Sequence, residues 1–130
     1  MKNRNGNFRK KQIVRFVLAA MFLTAGIAHF LFQELFTGVI PEVLPLRSYI
    51  NEVIGAIEIL LAILYYSRIH NTAYLITFSL LVIYIWVHVD FIRTGSCTET
   101  FCISPWISWL RLVIVHPILL FLNYYLIKND

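Results

Sequence analysis

Charge is scarce in this sequence. Only 14% of its 130 residues are Asp, Glu, Lys or Arg, against 59% that are hydrophobic. A soluble domain of this size could not hide so much apolar surface in one core, so a water-exposed globule is excluded. Glycine is scarce too, with five residues, and none forms a phosphate-cradling loop or a dinucleotide fingerprint. Two cysteines make no zinc-spaced cluster, no metal site is expected, and no nucleophile elbow occurs. Internal repeats and low-complexity blocks are missing.

What the chain has is long apolar runs. Four can be marked, at 13–32, 49–66, 72–91 and 106–127, each near the roughly 20 residues a helix needs to cross the hydrocarbon of a bilayer. The gaps between them are short, so neighbouring helices should run antiparallel. The expected fold is all-α: an antiparallel four-transmembrane-helix bundle over 13–130, preceded by a basic cytoplasmic tail at 1–12. A cleaved signal peptide is the alternative for the first run. Its candidate small-residue site, Gly26-Ile27-Ala28, is poor, and the run continues to Phe32.

The positive charges are one-sided. Lys2, Arg4, Arg9, Lys10, Lys11, Arg15, Arg68 and Lys128 fall on one side of such a bundle, and only Arg47 and Arg93 on the other. That bias puts both termini of a multi-pass membrane protein in the cytoplasm. A basic cluster beside anionic lipid accounts for the tail without nucleic acid. Cys97 and Cys102 then lie outside, where a disulfide is permitted, and a disulfide is the expected state over two free thiols. Their C-x4-C spacing gives little support to dithiol exchange.

Ionisable residues inside the spans are the functional candidates. His29, Glu58, His88 and Arg111 come from four different helices, and alternating helix direction gathers them in the outer half of the bundle. Glu58 lies about nine residues, or roughly 14 Å, below the outer end of its helix. The economical expectation is an internal ion pair of Glu58 with Arg111, completed by His29 or His88. This network is either architectural or a site for a ligand or a proton. His116 is secondary, being five residues from Arg111 and so rotated away from it.

Helical spacing sorts the faces. Asn51, Gly55, Glu58 and Ala62 form one small, polar stripe suited to helix contact. Ala19, Phe22, Gly26 and His29 form another, in which Gly26 permits close approach. Thr77, Leu81, Tyr84 and His88 share a third. Between the first two spans, Pro41 and Pro45 forbid a continuous helix. Val43 and Leu44 there could fold back as a cap over the polar cluster, or serve as a stiff connector.

Taken in order, AGIAHF at 25–30, the proline-bearing loop, the G-x-x-E of Gly55 and Glu58, and WLRL at 109–112 resemble the DoxX and DoxX-like membrane proteins. The resemblance covers nearly all of the chain from Arg15 onward. Many relatives have proline where this chain has Val113, and the cysteine loop is closer to redox-associated members. The resemblance implies a four-helix protein of the bacterial cytoplasmic membrane whose polar signature falls on His29, Gly55, Glu58 and Arg111. It also implies links to thiosulfate:quinone oxidoreductase, to thiol-redox complexes and, in animals, to receptor-assembly chaperones.

The first functional reading is therefore a redox-associated membrane subunit with a quinone held near the polar cluster. It would work with a redox partner protein in the membrane or as a homodimer. Competing readings are a non-catalytic assembly or accessory factor and a small proton-coupled transporter built around Glu58. Exporters of that size carry their carboxylate in helix one, which disfavours the last. A b-type haem between His29 and His88 is disfavoured as well, because facing histidines belong to more regular bundles. The sequence names no reaction.

Overall fold

The computed structural model describes the backbone from Lys2 to Asn129 and side chains from residue 6 onward. Among the described residues the chain is all helical. Helix α1 spans Lys2–Leu31, α2 Gln33–Val39, α3 Arg47–Leu64, α4 His70–Arg93, α5 Pro105–Leu110 and α6 His116–Asn129, with a π-helical turn, Arg111–Val115, joining the last two. Three stretches, Gly6–Leu31, His70–Arg93 and Pro105–Asn129, are long and apolar enough to cross a membrane. The chain is thus a multi-pass membrane protein. Helix α3 is not among the three; it carries Arg47, Glu52 and Glu58 in 18 residues.

The basic segment expected as a tail is helical and continuous with the first span. It contains no proline, and its lysines and arginines are fair helix formers. The side chains of Lys2 and Arg4 lie outside the described residues. Helix α1 stops where Phe32 leaves helical geometry (φ −124°, ψ 49°), and α2 stops at Ile40 (φ −68°, ψ 131°). Ile40 precedes Pro41, and proline disfavours a helical residue before it.

Helix α4 ends in a Schellman motif. The amide of Ser96 donates to the carbonyl of Phe91 and that of Gly95 to Ile92, with Gly95 at φ +86°. Only glycine adopts that geometry without strain. The chain then makes a six-residue hairpin closed by a Cys97–Cys102 disulfide and by the Thr98 amide donating to Phe101. Pro105 sits at the start of α5, where a missing N–H costs nothing.

The π turn has an evident cause. Pro117 has no amide proton, and its ring would collide with the carbonyl four residues back, that of Val113. The helix widens instead, and the His116 amide reaches back five residues to Arg111. This interruption in the fourth apolar run was legible only as a proline inside a hydrophobic stretch.

Helix α1 packs chiefly on α3, and α4 chiefly on α6. Both pairs run antiparallel. At the α1–α3 crossing, a Cβ added to Gly26 would lie 2.7 Å from the Gly55 carbonyl oxygen, and one added to Gly55 would lie 2.8 Å from His29 Cβ. These are the two glycines expected at a helix contact, and backbone meets backbone there. The core centres on Leu18, Leu61, Tyr65, Tyr74, Leu81 and Leu126, all at most 2% exposed. Beyond it, large apolar residues such as Phe16, Ile63, Leu75, Val113 and Phe121 face outward. In water that surface would aggregate; against acyl chains it is neutral.

Gly55→Ala should force α1 and α3 apart and destabilise the protein by about 1–3 kcal/mol, the usual cost of overpacking. A lowered unfolding midpoint in detergent is the expected reading. An unchanged midpoint would mean that the crossing is looser than described.

Candidate functional site

Glu58 is 2% exposed and is held from two sides. On α4, the Tyr84 hydroxyl donates to Glu58 Oε1 at 2.5 Å. On α1, His29 Nε2 lies 3.5 Å from Glu58 Oε2. That contact is close enough for an ion pair but not a formed hydrogen bond, and Oε2 has no hydrogen-bond partner. His29 is itself fixed. Asn51 Nδ2 donates to the His29 carbonyl at 2.9 Å, so Asn51 Oδ1 must face the ring, 2.6 Å from Nδ1. An amide oxygen only accepts, so Nδ1 carries the proton. His29 Nε2 and Glu58 Oε2 then meet as two acceptors unless one proton sits between them.

Across the bundle, His88 Nδ1 lies 2.8 Å from the Tyr84 carbonyl and His116 Nδ1 lies 2.8 Å from the Arg111 carbonyl. Both rings therefore donate through Nδ1, and in the neutral ring Nε2 keeps a lone pair. The two rings pack edge to face, centroids 4.6 Å apart. His88 is 9% exposed and its Nε2 has no partner.

These groups line one cavity of about 370 Å³. It is walled otherwise by apolar side chains, among them Phe22, Ile54, Leu81, Val87 and Leu119. His29, Glu58, His88 and Arg111 all reach it. The expected Glu58–Arg111 ion pair is not made: among the described residues no carboxylate lies within ion-pairing distance of Arg111. Tyr84, one turn before His88, reaches Glu58 first. Arg111 is exposed at the cavity's rim. His116, expected to turn away from Arg111, faces the same cavity, because residues five apart come together in a π turn and not in an α turn.

Of the two readings of the proline-bearing loop, the cap is not the one seen. Val43 is 79% exposed, and neither Val43 nor Leu44 lines the cavity. The roof is α2, through Leu35, Phe36 and Val39, with Ile40 beside them and Phe101 and Ile103 from the disulfide hairpin. The Phe36 ring lies 4.1 Å from that of His29. Sequence reasoning missed α2, and it missed Tyr84 and Asn51 as partners, although both had been placed on the right faces. His29 uses one ring nitrogen on Asn51 and turns the other toward Glu58.

A second polar node at the other end of the bundle is fully bonded. Tyr65 donates to Asn123 Oδ1 at 3.3 Å and meets Thr77 Oγ1 at 2.8 Å, while Asn123 Nδ2 donates to the Tyr74 carbonyl at 3.0 Å. Asn123 had gone unremarked as a lone polar residue in an apolar run.

Residues 18–124 match the family described as a domain of unknown function, DUF8561. The chain belongs to that family. The matched segment includes every polar residue of the cavity. No curated protein matches the chain, and no solved structure does.

The Tyr84–Glu58 bond should be measurable by a double-mutant cycle. Tyr84→Phe leaves a buried oxygen short of its donor, and a loss of about 1–3 kcal/mol is expected. In a Glu58→Gln background the loss should shrink. Equal losses in both backgrounds would deny the bond.

Proposed function

We propose that this protein is a DoxX-like, redox-associated subunit of the bacterial inner membrane that holds a quinone in the cavity roofed by α2. In this reading α3 is a fourth span, giving an antiparallel four-transmembrane-helix bundle. Two of its three charges, Arg47 and Glu52, fall in its first two turns, and the third is clamped inside. The charge bias puts both termini in the cytoplasm and the disulfide hairpin outside.

Among the described residues four buried side-chain polar atoms lack a partner, and the observation that carries the proposal is that two of them, Glu58 Oε2 and His88 Nε2, belong to residues lining this largely apolar cavity, whereas Ser96 and Ser108 do not line it. Buried polar groups without partners are rare, and a site that binds a polar ring explains them. Cavity size fits a small ring, and Arg111 can donate to a carbonyl or hydroxyl oxygen. Met21 and Leu35, two apolar lining residues, are 40% and 42% exposed, which supports entry from lipid. When bound, the quinone would supply the electron chemistry; this chain's residues position the ring and keep water away.

Protein purified in mild detergent should carry extractable quinone in near-stoichiometric amount, and Arg111→Ala should lose most of it. Quinone-free protein that also fails to take up a short-chain quinone in equilibrium dialysis would sink the reading.

One observation favours a second reading, an accessory subunit without catalysis. A cleft of about 830 Å³ beside the hairpin is lined by four carboxylates, Glu34, Glu42, Asp90 and Glu99, against one arginine, Arg47, a surface suited to a basic partner protein. Deleting this chain should then lower the abundance of a co-purifying membrane protein. Unchanged abundance counts against this alternative.

A further inference from the structure

We propose that the cavity takes the dihydroxy, reduced form of its ring ligand in preference to the dicarbonyl form. This deepens the quinone-site reading and rests on it. The donors around the cavity are already committed. Tyr84 gives its hydroxyl proton to Glu58. His29 gives its Nδ1 proton to Asn51, which leaves Nε2 of the neutral ring a lone pair, 3.5 Å from Glu58 Oε2. His88 and His116 each give the Nδ1 proton to a backbone carbonyl.

What the lining residues keep unpaired is acceptors. Glu58 Oε2 and His88 Nε2 are unpartnered, and His116 Nε2 is a lone pair in the same tautomer. A doubly protonated His88 would bury an N–H cation without an acceptor, which costs far more than an unused lone pair. The other lining side chains are apolar except Arg111 at the rim.

A dicarbonyl ring brings only acceptors. It can satisfy Arg111, but it sets lone pair against lone pair at His88 and Glu58. A dihydroxy ring brings two O–H donors to a site with buried acceptors in want of them. It can still accept from Arg111 through a hydroxyl oxygen. A site built around unmet hydrogen bonds discriminates against the ligand that cannot complete them.

The test compares a short-tail benzoquinone with its own hydroquinone on the full-length protein, by anaerobic equilibrium dialysis. The hydroquinone should bind at least about tenfold tighter, the equivalent of one buried hydrogen bond. Equal or tighter binding of the benzoquinone would overturn the preference and leave the quinone site standing. If neither binds, the quinone reading itself fails. The dimethyl ether of the hydroquinone, which lacks O–H, should bind as weakly as the benzoquinone; binding like the hydroquinone would mean selection by shape and reject the proposal. In His88→Phe the preference should fall toward parity, and an undiminished preference in that variant, once shown to be folded, would also reject it. If His88→Phe does not fold, the three-ligand comparison on the unaltered protein decides.

Discussion

A carboxyl group buried among helices in a lipid-facing protein sets the terms for the rest of this structure. Ionised and alone, Glu58 would be a severe penalty. It is tolerated because three helices converge on it. Tyr84 supplies a hydroxyl proton from α4, and His29 brings its ring from α1. For His29 to arrive, α1 must lie almost backbone to backbone on α3, and the Gly26–Gly55 crossing allows that. For its ring to present Nε2, Asn51 must hold Nδ1 from the turn above. The polar stripe of α3 is therefore a single device: Gly55 admits the neighbour, Asn51 orients it, and Glu58 receives it.

On the opposite wall the decisive element is a defect. Pro117 prevents an α-helical hydrogen bond to Val113, and the widened turn that results turns two side chains toward one space. It also aims the Arg111 carbonyl at the His116 ring, which fixes that ring's tautomer. Interruptions of this kind carry a cost in regularity and are enriched at functional sites. Here the interruption converts an apolar span into one that can present a guanidinium and an imidazole to the same cavity.

Much of the helical plan was legible from apolar runs, because a lipid-facing helix must be apolar along about 20 residues. The faces of α1, α3 and α4 were legible as well, since each is a regular α-helix through the polar positions. What escaped was local. Helix α2 is only seven residues long and lies next to a proline-bearing loop, below the length at which periodicity is informative. Rotation by 100° per residue fails across a π turn, so His116 was assigned to the wrong side. Pairing by charge alone favoured Arg111 as the partner of Glu58, whereas a neutral tyrosine on the facing helix was nearer. Residue type sets what a group wants. Which neighbour provides it depends on distances that a sequence does not contain.

The two ends of the bundle allow a functional cluster to be told from an architectural one. Tyr65, Thr77, Asn123 and the Tyr74 carbonyl close a network in which each polar atom finds its counterpart, as a group that merely fixes helix register should. The cavity end uses the same kinds of residue and is built with the same care in its tautomers, yet it stops one partner short at Glu58 and again at His88. Packing could have satisfied both atoms, as it did at the other end, with a hydroxyl or an amide from a neighbouring helix. Instead both residues line a cavity walled by phenylalanine, leucine, isoleucine and valine. A purely structural network gains nothing from that arrangement, because each unmet buried atom reduces stability. The incompleteness makes sense as the counterpart of a molecule that brings the missing hydrogen bonds with it.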